Sequence, residues 1–207
     1  DAAIGLTAAA DDMEIAFLRF VPLTAAEIIN VATGCDGGYI HDVGYDTTGI
    51  AASTATIFLE LAGTHLNWWL DRVHFITDGA QGPLVAMSST AALSLQLAIS
   101  NYRHFHVAGT IAASLLNVVS TGAQGILIGP GEGVAHGATS AVTAMVTLGD
   151  NASALNVITI RDHRGSVGYA TVSTLLTTSG TTPEGSLVEC RLAQIKSSGA
   201  GGILYTG

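Results

Sequence analysis

The chain has one lysine, Lys196, and six arginines against 16 acidic residues in 207, giving a formal charge of −9. Without a basic tail or cluster it has no means of neutralising a phosphate backbone, which excludes direct nucleic-acid binding. Charge of either sign is scarce: 11% of residues are Asp, Glu, Lys or Arg, against roughly 25% in ordinary soluble domains. Ala, Gly, Thr and Ser fill the surface instead, and with a mean hydropathy of +0.47 such a surface predicts burial against neighbouring subunits. Cysteine is limited to Cys35 and Cys190, too few for a disulfide framework and too far apart for a CxxC metal or redox motif. A single Cys35–Cys190 bridge stays open. Long apolar runs are missing too, because Gly, Thr, Asp or His interrupts every stretch before the roughly 18–20 residues a membrane helix needs. No GxSxG, HExxH, P-loop or calcium-loop motif occurs, so no catalytic residue, cofactor or metal is assigned. The opening Asp1-Ala2-Ala3 in place of Met is expected after signal-peptide removal, prohead-type processing or simple trimming.

What the chain does have is a repeated turn. Thr77-Asp78-Gly79-Ala80-Gln81-Gly82 returns as Ser120-Thr121-Gly122-Ala123-Gln124-Gly125 and again as Ser197-Ser198-Gly199-Ala200-Gly201-Gly202, with looser versions at Gly34 and Gly165. One glycine from each turn (34, 79, 122, 165, 199) gives intervals of 45, 43, 43 and 34 residues, an architectural signal rather than a chemical one. Between the turns lie apolar alternations of period two. Leu93, Leu95, Leu97 and Ile99 alternate with Ser94, Gln96, Ala98 and Ser100, which predicts a strand with one buried face. Further strands are predicted over 14–21, 54–61, 66–76, 115–119, 142–148, 155–160, 169–176 and 187–195. The apolar phase changes within 66–76, which places a β-bulge near Asp71-Arg72. Single helical turns over 24–29 and 8–13 are the most that helix signals allow.

These strands make one all-β domain over residues 1–207. The strand at 92–99 keeps its alternation for longer than the short strands of a parallel β-helix, and the last interval breaks the period. The expected architecture is therefore an antiparallel β-sandwich or jelly roll in which the Gly turn is a reused hairpin device. A β-solenoid (parallel β-helix) or a propeller is the alternative.

Carrying the 93–99 phase forward puts Phe105 and Val107 on the buried face and Tyr102, His104 and His106 on the polar face, unless Asn101 breaks the strand. His104 and His106 at that spacing suit zinc if His74 or Asp71 converges on them, but an exposed or subunit-contact surface is the preferred reading. Of Trp68-Trp69, the phase sends Trp69 outward, where it would stack on a sugar or anchor a subunit. The pairs His41-Asp42 and Asp162-His163 are set aside as acid/base candidates, because neighbours on a strand point to opposite faces and Asp162 fits a turn.

The Ala/Gly/Thr-rich strands, the repeated Gly turns, the near absence of lysine and the acidic balance together resemble the β-rich shell, decoration and fibre proteins of viruses, tailed phages in particular. The resemblance implies a non-enzymatic structural subunit of a virion or extracellular assembly, whose partners are copies of itself and other subunits. The contrasting expectation is a glycan-binding module or a β-helical polysaccharide depolymerase, with Trp69, Tyr102, His104 and His106 as contacts.

Overall fold

The computed structural model describes residues 6–8, 10–21, 27–48, 57–62, 65–78, 83–87, 93–107, 110–111, 115–118, 122–135, 141–142, 144–148, 157–165, 174–178 and 187–195. Every strand pairing among them is parallel. This overturns the antiparallel sandwich, since parallel neighbours need a crossover instead of a hairpin turn. The described strands wind as a β-solenoid of seven coils.

One side of the stack is a seven-stranded sheet of Leu6–Ala8, Glu27–Val31, Ile57–Leu61, Val85–Met87, Leu116–Val118, Ala144–Leu148 and Thr174–Thr178, paired in chain order. Ile29, Leu59, Val85, Leu116, Val146 and Leu176 are in register from one coil to the next. The coil therefore repeats every 26–31 residues, and the 43-residue Gly interval is not the structural period. Copies of the Gly phrase fall at different places in the coil: Gly34 lies in a turn, Gly122 starts a short strand and Gly165 ends a long one. The closing copy at 197–207 lies outside the described residues.

The second sheet has eleven strands. Its long members are Tyr39–Asp46, His65–Thr77, Leu93–Ser100, Val157–Gly165 and Leu187–Ile195. These strands bend at two stacked corners, each made of residues with positive φ. The first corner holds Asp12, Gly37, Asn67, Gln96 and Gly125; the second holds Phe17, Asp42, Arg72 and Asn101, each five positions on from the first four of these, and Asp162 in a later coil. Left-handed backbone is unfavourable for a residue with a Cβ, so Gly37 and Gly125 suit the first corner, while Asp and Asn tolerate both through local hydrogen bonding. The bulge expected near Asp71-Arg72 is one of these bends: register runs His41↔Asp71 and then Val43↔Val73, skipping Asp42 and Arg72.

The core runs as columns along the axis. Ile29, Leu59, Val85 and Leu116 line one sheet, and Ile15, Ile40, Leu70, Ile99, Ile128 and Ile160 the other; all are buried. Buried side chains of this size contribute about 1.5–3 kcal/mol each, against about 0–1 for an exposed ion pair, so the columns hold the coils together. Where one column carries a large ring, the next coil makes room. A Cβ on Gly38 would overlap the Trp68 ring, and one on Gly131 the Tyr102 ring. Phe58 packs across the interior against Tyr45 and Phe75.

No helix occurs among the described residues, and no helix there is long and apolar enough to cross a membrane. Residues 27–29, assigned above to a helical turn, begin a strand. Cys35 is in the second coil and Cys190 in the strand paired with Val157–Gly165. Five coil spacings of about 4.8 Å separate them, too far for a disulfide.

Candidate functional site

A residue in the left-handed region interrupts the in/out alternation, so two successive side chains leave the strand on the outside. The second corner thereby stacks His41-Asp42, Asp71-Arg72 and Ser100-Asn101 into one ridge, with Arg161-Asp162 at the same position two coils further on, beyond Gly129-Pro130. The expectation that neighbours on a strand cannot cooperate fails here: His41 Nδ1 lies 2.7 Å from Asp42 Oδ2, and Nε2 lies 2.7 Å from Glu14 Oε1.

From this pair a network crosses the coils. Arg72 donates to Asp42 through Nε at 2.7 Å and Nη2 at 2.8 Å, and through Nη1 to Asp71. Asp71 in turn accepts from Ser100 Oγ and Asn101 Nδ2, each at 2.8 Å. The indole of Trp69 donates to Ser100 Oγ at 2.8 Å, which holds the ring upright beside Tyr39, whose centroid is 5.0 Å away. Tyr39 stacks on His41 at 4.3 Å.

The charges follow the bonds. Hydrogen bonding to Asp42, then to Glu14, raises the His41 pKa above its ordinary 6.5, against opposing burial. Arg72, then His41, hold the Asp42 carboxyl well below the carboxylate range. Burial pushes Asp71 upward, but the bonds from Asn101 and Ser100 and the Arg72 charge outweigh it, and its pKa is lowered. These carboxylates are therefore ionised and saturated. His41, Asp71 and Ser100 share a column, yet Asp71 lies in the coil between the other two and both imidazole nitrogens bond elsewhere. This cluster assembles no serine–imidazole pair of the kind a nucleophilic triad requires.

Beside the ridge lies a shallow groove of two hollows, about 420 and 470 Å³. Asn101 borders both. The first is walled by Asp42, Arg72 and His74; the second by Arg103, Glu132, Asp162 and Arg164, over a floor that includes Tyr102 and Gly131. Register sets His74, Arg103, Glu132 and Arg164 in one outward column. Arg103 Nε is 3.6 Å from Glu132 Oε2.

Of the four predicted contact residues, Trp69 is outside as expected, 47% exposed, and Trp68 is inside. Tyr102, His104 and His106 are buried, which corrects their placement on the polar face. The cause is Asn101, whose φ of 50° shifts the phase by one, so Phe105 turns outward instead. Thr77 Oγ1 lies between the two rings, 2.8 Å from His104 Nε2 and 3.0 Å from His106 Nδ1. His74 is exposed and Asp71 belongs to the ridge, so neither converges on the histidine pair. No metal-holding group of three or more His, Cys, Asp or Glu occurs among the described residues. Tyr39, Arg72, Asn101, Arg103, Glu132 and Arg164 escaped the sequence reading. Their signal is polar residues recurring at coil spacing, as in 42, 72 and 101.

No protein-family model, curated protein or solved structure matches the chain.

Proposed function

We propose that the protein is a non-enzymatic structural subunit of a virion or extracellular assembly. The observation that carries this reading is the distribution of exposed apolar side chains on a scaffold poor in charge. Phe17, Leu18 and Val21, all exposed, cluster on the first coil, and Phe105 adds a further exposed ring on the same sheet. The described strands of the seven-stranded sheet carry no lysine or arginine, and Glu27 and Glu60 are their only charged residues. Apolar surface of this kind, on a rigid stack of coils, favours contact with another subunit over solvent. Size-exclusion chromatography with light scattering tests it: a defined oligomer is expected, and a monomer at all concentrations contradicts it.

A second reading, glycan binding by the same subunit, is favoured by the groove and, separately, by the exposed, hydrogen-bonded indole of Trp69, which lines neither hollow. Aromatic platforms flanked by fixed polar groups suit sugars, which present one apolar and one hydroxylated surface.

A further inference from the structure

All six arginines of the chain, Arg19, Arg72, Arg103, Arg161, Arg164 and Arg191, lie in strands of the eleven-stranded sheet. The same strands carry seven of the 16 acidic residues, so arginines and carboxylates are interleaved on this sheet. Two of the arginines, Arg103 and Arg164, wall the larger hollow of the groove with Glu132 in the coil between them. Among the described residues Arg164 and Asp162 make no ion pair, and Arg103 holds Glu132 only at 3.6 Å. These groups are not used up by the fold, unlike Asp42, Arg72 and Asp71 on the ridge.

We infer that the groove binds an acidic oligosaccharide, a chain of pyranose units bearing carboxylates. This rests on the glycan-binding reading and gives it a ligand class. Arg103 and Arg164 stand two coils apart, about 10 Å, and present guanidinium forks that match carboxylates in planar, two-bonded geometry. Between and beside them, Glu132 and Asp162 accept hydrogen bonds from ring hydroxyls, and the Asn101 amide serves either group. A ligand that alternates hydroxyls with carboxylates satisfies this alternation. A phosphate polymer does not, because Glu132 and Asp162 would face its uninterrupted negative charge.

Isothermal titration of the full chain tests this with three probes: a tetrasaccharide of galacturonic acid, its methyl ester, and a short oligothymidylate. The acid tetrasaccharide is expected to bind at least about ten-fold tighter than the ester, as one charge-assisted bond implies. Arg103→Gln and Arg164→Gln are each expected to weaken the acid about ten-fold and the ester little, with unchanged melting and circular dichroism. Asp162→Asn, which keeps the size of the side chain, is expected to weaken acid and ester alike. Equal binding of acid and ester overturns the acidic class while leaving glycan binding standing. Absence of binding by either sugar overturns both. Tighter binding of the oligothymidylate, or arginine variants that bind like wild type, also overturns the assignment.

Discussion

Asp42 and Arg72 occupy the same corner position in successive coils, both with left-handed backbone, and the guanidinium grips the carboxylate with two hydrogen bonds of 2.7 and 2.8 Å. The pairing follows from the coil length. Residues thirty apart are brought to one corner, and the bend turns both side chains outward.

That geometry makes acid stability the first observable. The Asp42 carboxyl is depressed in the folded state from an ordinary 3.8 by Arg72 and His41. Its contribution is therefore present above pH 3.8 and lost as pH falls through the depressed value. Thermal melts of wild type and Asp42→Asn are expected to show wild type higher at pH 5–7, with the gap closing progressively below about pH 3.8. A gap constant down to pH 2 contradicts it.

His41 works in the opposite direction. Its folded pKa is raised above 6.5 by bonding to Asp42 and Glu14, so its contribution is complete below 6.5 and disappears as pH climbs through the raised value. Wild type is expected to melt above His41→Gln at pH 6 and to lose that advantage towards pH 9. Direct titration of the His41 ring by NMR is expected to give a midpoint above 6.5.

Ring and glycine alternate by design of the core columns. Gly38→Ala and Gly131→Ala each push a methyl into a buried ring, Trp68 and Tyr102 respectively, and are expected to cost about 1–3 kcal/mol in chemical denaturation. Shrinking the facing ring tests the cause: Gly38→Ala combined with Trp68→Leu is expected to cost less than the sum of the two single changes.

Burial of His104 and His106 is open to chemical probing. Diethyl pyrocarbonate is expected to modify exposed His74 readily and the two interior rings only on unfolding. Thr77→Val removes the hydroxyl between the rings and is expected to destabilise by about 1–3 kcal/mol, from the loss of two buried hydrogen bonds. Modification of all three histidines at one rate contradicts the inward placement.

Much of the strand content was legible. The alternations at 54–61, 66–76, 93–99 and 187–195 coincide with strands at Ile57–Leu61, His65–Thr77, Leu93–Ser100 and Leu187–Ile195, and the Trp68/Trp69 division followed from phase alone. Pairing was not legible, because the corners that close each coil rest largely on Asp12, Asn67, Gln96, Asp42, Arg72 and Asn101. None of these is glycine or proline, and tertiary stacking imposes a backbone that their local preference does not announce. The Gly phrase drew attention to 43 residues while the register runs near thirty. The ridge shared this fate, since without the bend at Asn101 the side chains of Tyr102, His104 and His106 point the wrong way.

The proposed structural role rests most directly on the exposed apolar side chains of the first coil, where Phe17 is 79% and Val21 52% exposed. Sedimentation velocity of wild type beside a Phe17→Ser, Val21→Ser double variant measures it. The expected result is a wild type with a mass several times that of the chain and a variant that falls towards monomer at an unchanged melting temperature. A monomeric wild type, or a variant that keeps the full assembled mass, contradicts it.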